Sequence, residues 1–500
     1  VFNYSRSPTE KVSPGEVTGF SKWELNGCSG RSTPTGSMTR PITGMLLKRI
    51  PDKLKSNIEQ FRSSHTNGVL FFSADNGMGK TFAALSYCAE DKDGLYFSFR
   101  HISADFAPKI FSKRYPEIFK DCTDWTTFFD FLQIYGKEKR PTVFFDDVGE
   151  RNDKNDFYEA LKNFSEENDG CCAVVGLIGR PWEQIEIPAE TINIEPFSTQ
   201  EISETLSVSN AESVNIFSLT AGIPELLSAY DTNASFEENV KSALHINSPF
   251  YRLIDSKMSK CFRAPESYNI LLYAMVNGYN RISELAAYSG YPKNKCDKYI
   301  KALCEVGLVR KEPERNGHTK YYPANSYIAL WYKALLTAVP NTDGTFSEDV
   351  YNCFMQYFNA EIVSPFYKNM CAYWLSKNII SLSTEYIDTK DLSYHNVKIG
   401  NVIFDFACVK KRGIYAYYDT TPGGKLTQKL WKEIESSTTK DRAFYENEYI
   451  LCTVNRPPDS FWTLSQNYDN VHIVPLKSLF AAYNKEYNRI NHPRFVPSFV

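Results

Sequence analysis

The stretch that most constrains this chain is Val69–Phe82, VLFFSADNGMGKTF. Four apolar or aromatic residues, Val69 to Phe72, read as a short buried strand. A small polar loop follows, and Gly79-Lys80-Thr81 opens onto the apolar run Phe82-Ala83-Ala84-Leu85, which reads as a helix. The spacing Ala74-x-x-x-x-Gly79-Lys80-Thr81 is that of a phosphate-binding loop in which Ala replaces the first glycine. Ala74, Asp75, Asn76, Gly77, Met78, Gly79, Lys80, Thr81 and Phe82 are the residues expected to surround a nucleotide's phosphates. Backbone N–H groups of such a loop wrap a polyphosphate, and the helix N-terminus adds its partial positive charge. Lys80 is expected to reach the β- and γ-phosphates, and the Thr81 hydroxyl to ligate Mg²⁺. A plain strand–helix turn with a chance Lys-Thr is the blander reading; the flanking strand and helix favour the phosphate loop.

Downstream of this loop, apolar strands alternate with helices as far as residue 195, at Leu95–Phe99, Thr142–Asp147, Cys171–Gly179 and Thr191–Ile194. Continuous apolar strands separated by helices predict an α/β fold with a parallel sheet covered on both faces. Ligands of such sheets sit at the C-terminal strand ends, where the loop lies. A second acidic motif, Phe144-Phe145-Asp146-Asp147, ends one of these strands. Two carboxylates at the end of a buried strand cost desolvation unless a cation is near. Asp146 is expected to hold Mg²⁺ through water, and Asp147 to orient or deprotonate the attacking water. Arg180, after the fourth strand, reads as a γ-phosphate sensor or equally as an exposed surface arginine.

Residues 199–262 read as all helical, with Gly222-Ile223-Pro224 ending one helix and starting the next, a layout suited to a lid. Residues 265–335 have the layout of a winged helix, with helices at Tyr268–Val276, Ile282–Ser289 and Lys295–Val306, then a two-stranded wing around Asn316-Gly317. Lys293, Lys295, Lys298 and Lys301, with Arg310, Lys311, Arg315 and Lys320 on the wing, make a basic face. Such a face suits double-stranded DNA, with the third helix in a major groove, or equally a packing or protein contact. Helices at Val350–Phe358, Phe366–Leu375 and Leu426–Ile434 and strands near Asn401–Cys408, Ile414–Tyr418, Glu448–Thr453 and Val471–Val474 fill the remainder.

The 500 residues accommodate roughly three domains. A net charge of −3 argues against a wholesale nucleic-acid coat, so any DNA contact must be a local patch. Twelve cysteines show no CxxC pair, which points to thiols in a reducing cytoplasm. No run of 18 apolar residues exists, so no membrane span is expected. Residues 1–44, rich in Ser, Thr, Gly and Pro, are expected to be a disordered leader.

Taken together, ADNGMGKT (74–81), FFDDVGE (144–150), GLIGR (176–180), IEPFSTQEI (194–202) and TAGIPELL (220–227), followed by ISELAAYSG and YIKALCEVGLV, resemble the prokaryotic STAND and archaeal-type P-loop ATPases, relatives of AAA+ proteins. The resemblance covers about residues 45–335 and implies ATP, Mg²⁺, nucleotide-dependent switching or hydrolysis, and often self-assembly or a protein partner. It implies boundaries of 45–198 for the ATPase core, 199–262 for the lid, 263–340 for the winged helix and 341–500 for a C-terminal domain.

That last region is similar in layout to the restriction-nuclease-like PD-(D/E)XK domain, with Asp405 and Asp419 at the two acidic positions. Thr421 stands where that family has Lys, Tyr367 stands where it has a helix Glu, and Lys425 is a displaced substitute. The departures imply an inactive domain. The expected function is a slow ATPase switching on or near DNA, with Lys80, Asp147 and Arg180 as the catalytic set; the alternative is a nucleotide-gated protein-interaction module with little or no hydrolysis. Asp147, one methylene shorter than the usual Glu, points to slow turnover.

Overall fold

The structure is a computed structural model, and it describes residues 41–64, 68–120, 122–148, 155–179, 187, 189–314, 317–377, 394–409, 413–420, 426–438 and 447–487. Of the leader expected over 1–44, residues 1–40 lie outside them, whereas residues 41–44 are helical and open the first helix, which corrects that boundary. The first helix, α1 (Pro41–Ser63), buries Ile50, Leu54, Ile58 and Phe61, a stripe at helical spacing. It precedes β1 (Val69–Ser73), α2 (Lys80–Glu90), β2 (Leu95–Ser98), α3 (Ala107–Ser112), α4 (Trp125–Lys139), β3 (Thr142–Val148), α5 (Asn155–Glu167), β4 (Ala173–Ile178) and β5 (Ala189–Asn193).

These strands form one five-stranded sheet in the order β2-β3-β4-β1-β5, with every pairing parallel. The α/β expectation holds. Every residue of β1 and β4 is buried, as unbroken apolar runs require when helices cover both faces. The edge strand β5 is mostly exposed, which explains why its sequence is polar.

Period-two alternation splits β1 between two cores. Leu70 and Phe72 face one side with Ala83, Ala84, Phe144 and Leu177. Val69 and Phe71 face the other, where Phe97, Phe99, Phe111, Phe119, Trp125, Phe128, Phe145 and Phe157 make an aromatic cluster. The Phe119 and Phe128 rings stack at 4.1 Å. Phe71 presses so closely on β4 that a Cβ at Gly176 would lie 2.5 Å from its ring.

Five helices follow: α6 (Thr199–Leu206), α7 (Asn210–Thr220), α8 (Pro224–Ser228), α9 (Phe236–Ala243) and α10 (Pro249–Cys261). Ser198 caps α6 in a reciprocal box with Glu201, and Ser235 caps α9 in the same way with Glu238. Then come α11 (Glu266–Val276), α12 (Ile282–Ser289), α13 (Lys293–Glu305) and an antiparallel hairpin of β6 (Val309–Pro313) and β7 (Thr319–Pro323), closed by α14 (Ser326–Ala334).

Helix α15 (Glu348–Tyr357) runs through a π turn at Phe358–Val363 into α16 (Ser364–Lys377). A second sheet follows, built from β8 (Tyr394–Ile399), β9 (Val402–Val409), β10 (Gly413–Asp419), β11 (Glu448–Thr453) and β12 (Val471–Pro475), with α17 (Gln428–Thr438), α18 (Asp459–Ser465) and α19 (Leu476–Tyr487). Its order is β12-β11-β10-β9-β8; the β8–β9 and β9–β10 pairs are antiparallel, and β10–β11 and β11–β12 are parallel. Strand β8 and helix α19 were not expected from the sequence. One face of this sheet carries Phe406, Ala416, Ile450 and Cys452 into the same core that holds Leu70 and Phe72. No helix among the described residues is long and apolar enough to cross a membrane.

Candidate functional site

Strand β1 ends at Ser73, and the chain turns through six residues into α2 at Lys80. Gly77 and Gly79 both adopt φ of +80°, a conformation that L side chains rarely hold. Gly79 is the residue before the helix, and no side chain caps the first turn of α2. The first N–H groups of an α-helix have no intrahelical partner, so the start of α2 suits an anion.

Lys80 folds beneath this loop, its Nζ donating to the carbonyl oxygens of Ala74 at 2.6 Å and Asp75 at 3.1 Å. Next to it, the exposed Thr81 donates its hydroxyl to Asp146 Oδ2 at 2.6 Å. Loop and acidic strand end thus meet directly, although β4 lies between their strands.

Asp146 is buried at 3% exposure and is surrounded by donors. The Tyr96 hydroxyl donates to Oδ2 at 2.7 Å, and the Asp147 N–H donates to Oδ1 at 2.8 Å. Burial, then the neighbouring Asp147 charge, pushes the Asp146 carboxyl above its ordinary value. Burial, then the Asp146 charge, pushes the Tyr96 phenol up as well, so it stays a donor. Asp147 has φ of +57°, and the β3–β4 register shifts between Phe145 and Val148. A non-glycine residue held there costs on the order of 1–3 kcal/mol, the kind of strain that gathers at working sites. Ser98 Oγ lies 3.4 Å from Asp147 Oδ2.

A hydroxyl beside one carboxylate suits Mg²⁺, which keeps several waters and takes few protein ligands. Among the described residues no cluster of three or more His, Cys, Asp or Glu side chains could cage a metal by itself, so any ion here must also draw on substrate and water oxygens. Arg180 lies outside the described residues.

Helices α8 and α10 reach the same loop. Gly222 has φ of +70°, and a Cβ there would lie 2.1 Å from the Phe197 carbonyl oxygen, so this turn demands glycine. Two residues on, Pro224 starts α8, and the Glu225 N–H donates to Gly77 O at 3.0 Å. Burial raises the Glu225 carboxyl, an effect that Arg252 opposes. From α10, Lys257 bonds Asp75 Oδ1 at 3.0 Å with its own side chain only 11% exposed. Sequence reasoning missed Lys257. Its one signal was a lysine flanking the buried stripe Phe250, Ile254, Met258.

The basic face divides. Lys293, Lys295, Lys298 and Lys301 on α13 are exposed, as is Lys311, and Lys295 sits over the Tyr291 ring at 4.1 Å. The β6–β7 hairpin corrects the expectation. Arg310 is bonded to Glu312 and lies over the Tyr322 ring at 4.7 Å, and burial pushes its guanidinium down to about 10. Lys320 and Arg281 both bond Glu314, at 3.0 and 2.9 Å. Acidic partners therefore neutralise two of the wing's expected cations, and Arg315 lies outside the described residues.

In the second sheet, Asp405 lies on β9 and Asp419 ends β10. Asp405 Oδ1 is 3.3 Å from Lys368 Nζ, and its Oδ2 accepts the Tyr418 N–H at 2.8 Å. Asp419 is 1% exposed and accepts the Leu426 N–H at 3.1 Å. Tyr367 is buried in the core, and its neighbour Lys368 is the helix residue that meets the acid. Thr421 and Lys425 lie outside the described residues.

No family model matches the sequence, and no curated protein does. Solved structures with partial likeness include a STAND protein with a tetratricopeptide repeat sensor from Pyrococcus horikoshii, at 13% identity and a TM-score of 0.27, over 61% of this chain and 44% of that one. This chain thus spans less than half the length of that protein. A Thermotoga maritima RuvB mutant matches at 13% identity and TM-score 0.27, over 53% of this chain and 90% of its own. A structure of Drosophila ORC bound to AT-rich DNA and Cdc6 matches at 8% identity and TM-score 0.23, over 58% and 94%. Likeness this slight carries no functional argument, which rests on the geometry above.

Proposed function

We propose that the chain binds ATP with Mg²⁺ at residues 74–82 and works as a slow nucleotide-dependent switch on or near DNA. The observation that carries this is the Thr81–Asp146 hydrogen bond of 2.6 Å at the head of an uncapped helix, beside a loop with two left-handed glycines. Phosphate oxygens would take the loop's N–H groups, and Lys80 would exchange its own-chain carbonyls for phosphate. Thr81 and Asp146 would hold Mg²⁺, which offsets phosphate charge. Asp147, aimed from a strained backbone at the strand end, would position the attacking water, with Arg180 sensing the terminal phosphate from beyond β4.

The α11–α13 helices and the β6–β7 hairpin would act as the winged helix, with the lysines of α13 and Lys311 on duplex phosphates. The C-terminal sheet would be a nuclease-like domain without cleavage, since Lys368 already neutralises Asp405.

Calorimetric titration with Mg·ATP, followed by turnover measured with and without duplex DNA, tests this reading. Micromolar binding supports it, and no binding refutes it. Tight binding without turnover would favour the second reading, a nucleotide-gated module for a protein partner or a second copy of the chain. The shorter reach of Asp147 supports that alternative.

A further inference from the structure

We propose that Lys257 and Tyr327 make α10 a strut that reports the state of the phosphate loop to the α11–α14 segment. The proposal rests on the nucleotide reading above. At one end of α10, Lys257 bonds the carboxylate of Asp75 within the loop, and both are partly screened from water. Asp75 is held twice, because its carbonyl also accepts from Lys80 Nζ. A loop that takes up phosphate draws Lys80 off that carbonyl. It also sets several negative charges beside Asp75, in competition for Lys257. In a part-buried setting such charge terms fall off far less than at the surface. The pair cannot be indifferent to loop occupancy.

The other end of α10 is bolted to α14. The buried Tyr327 hydroxyl donates to Phe250 O at 2.7 Å and accepts the Ile254 N–H at 3.2 Å. Trp331 Nε1 donates to Tyr251 O at 3.0 Å. Helix α14 in turn holds α11 through Tyr332, whose hydroxyl donates to Asn269 Oδ1 at 2.8 Å, and through Lys333, which donates to Asn277 Oδ1 at 2.7 Å. The strand β7 and the helix α15 also pack on α14. A shift of α10 therefore moves the base on which the helix–hairpin segment stands. Tight packing passes such shifts along as discrete rearrangements.

The test is hydrogen–deuterium exchange of the full chain, with and without Mg·ATP, read over residues 266–335. Wild type should show a nucleotide-dependent change in exchange there. Lys257→Met should reduce that change roughly fivefold or more, the lower range of ordinary site-to-site coupling. Lys257→Arg should keep it. Tyr327→Phe, which keeps the ring and removes the hydroxyl, should lose the response while ATP affinity stays within about threefold. If Lys257→Met fails to fold, Asp75→Asn reads the same pair from its more exposed side. Wild type that binds ATP with unchanged exchange in 266–335, or Lys257→Met with a full response, overturns the strut alone. Failure of wild type to bind ATP overturns the nucleotide reading as well.

Discussion

Two strand carboxylates in this molecule are satisfied in opposite ways. At the end of β3, Asp146 is held by neutral donors, the Thr81 and Tyr96 hydroxyls and a backbone N–H, while Lys80 is bonded to loop carbonyls. In the second sheet, Asp405 takes Lys368 directly. A buried carboxylate among neutral donors keeps its need for a cation, which shows as its raised proton affinity. A carboxylate with its own ammonium has had that need met. The contrast teaches that acidic residues on strands are not equivalent sites; what decides is whether the chain supplies the counter-charge.

The largest effect should follow Lys80→Ala. Losing the loop's cation should weaken ATP binding by at least ~100-fold, as for other charge partners of a desolvated anion. Unchanged affinity in a calorimetric titration would erase the contrast, because the β3 site would then have no nucleotide chemistry. Asp147→Asn comes next. Mg·ATP binding should persist while turnover falls by ~100-fold or more, the ordinary loss for a removed base. Collapse of binding together with turnover would mean that Asp146 and Asp147 have exchanged roles.

A smaller change is expected on α13. Replacing Lys295, Lys298 and Lys301 with Ala should flatten the salt dependence of duplex binding, by about 0.9 in log–log slope for each phosphate left without its lysine. Retardation assays across a salt series measure it, and a wild type that shifts no duplex at low salt would leave α13 as a protein-contact face. The smallest effect is Lys368→Met. An ion pair with a half-exposed lysine should be worth about 1 kcal/mol or less by denaturant melting. Neither wild type nor variant should cleave DNA with Mg²⁺ or Mn²⁺. Metal-dependent nicking that vanishes in Asp405→Ala would break the contrast from its other side.

The loop was legible because its determinants are consecutive: apolar strand, two glycines, Lys80 and Thr81. The parallel sheet was legible for the same reason, since β1, β3 and β4 are unbroken apolar runs. Strand β5 was harder to delimit because an exposed edge carries polar residues. Lys257 was out of reach, since its partner Asp75 is 182 positions away. The β6–β7 hairpin was over-read as basic. Arg310 and Glu312, two apart on a strand, share a face and were a visible warning. The joint hold of Arg281 and Lys320 on Glu314 needed the tertiary fold. Helix α19 closes on a core assembled from distant segments, and its own sequence carries little of that.

That shared core bears on how the molecule is taken apart. Leu70 of the first sheet, Leu272 of α11 and Phe406 of the second sheet belong to one continuous apolar interior. Among the described residues from Ile42 on, a core shared this way offers no clean seam for scissors. Cutting out the first sheet and its helices alone would bare a broad greasy surface, so the fragment should clump rather than behave as a module. Architectural labels for the separate segments describe layout, whereas melting should treat the segments that share this core as a single cooperative block.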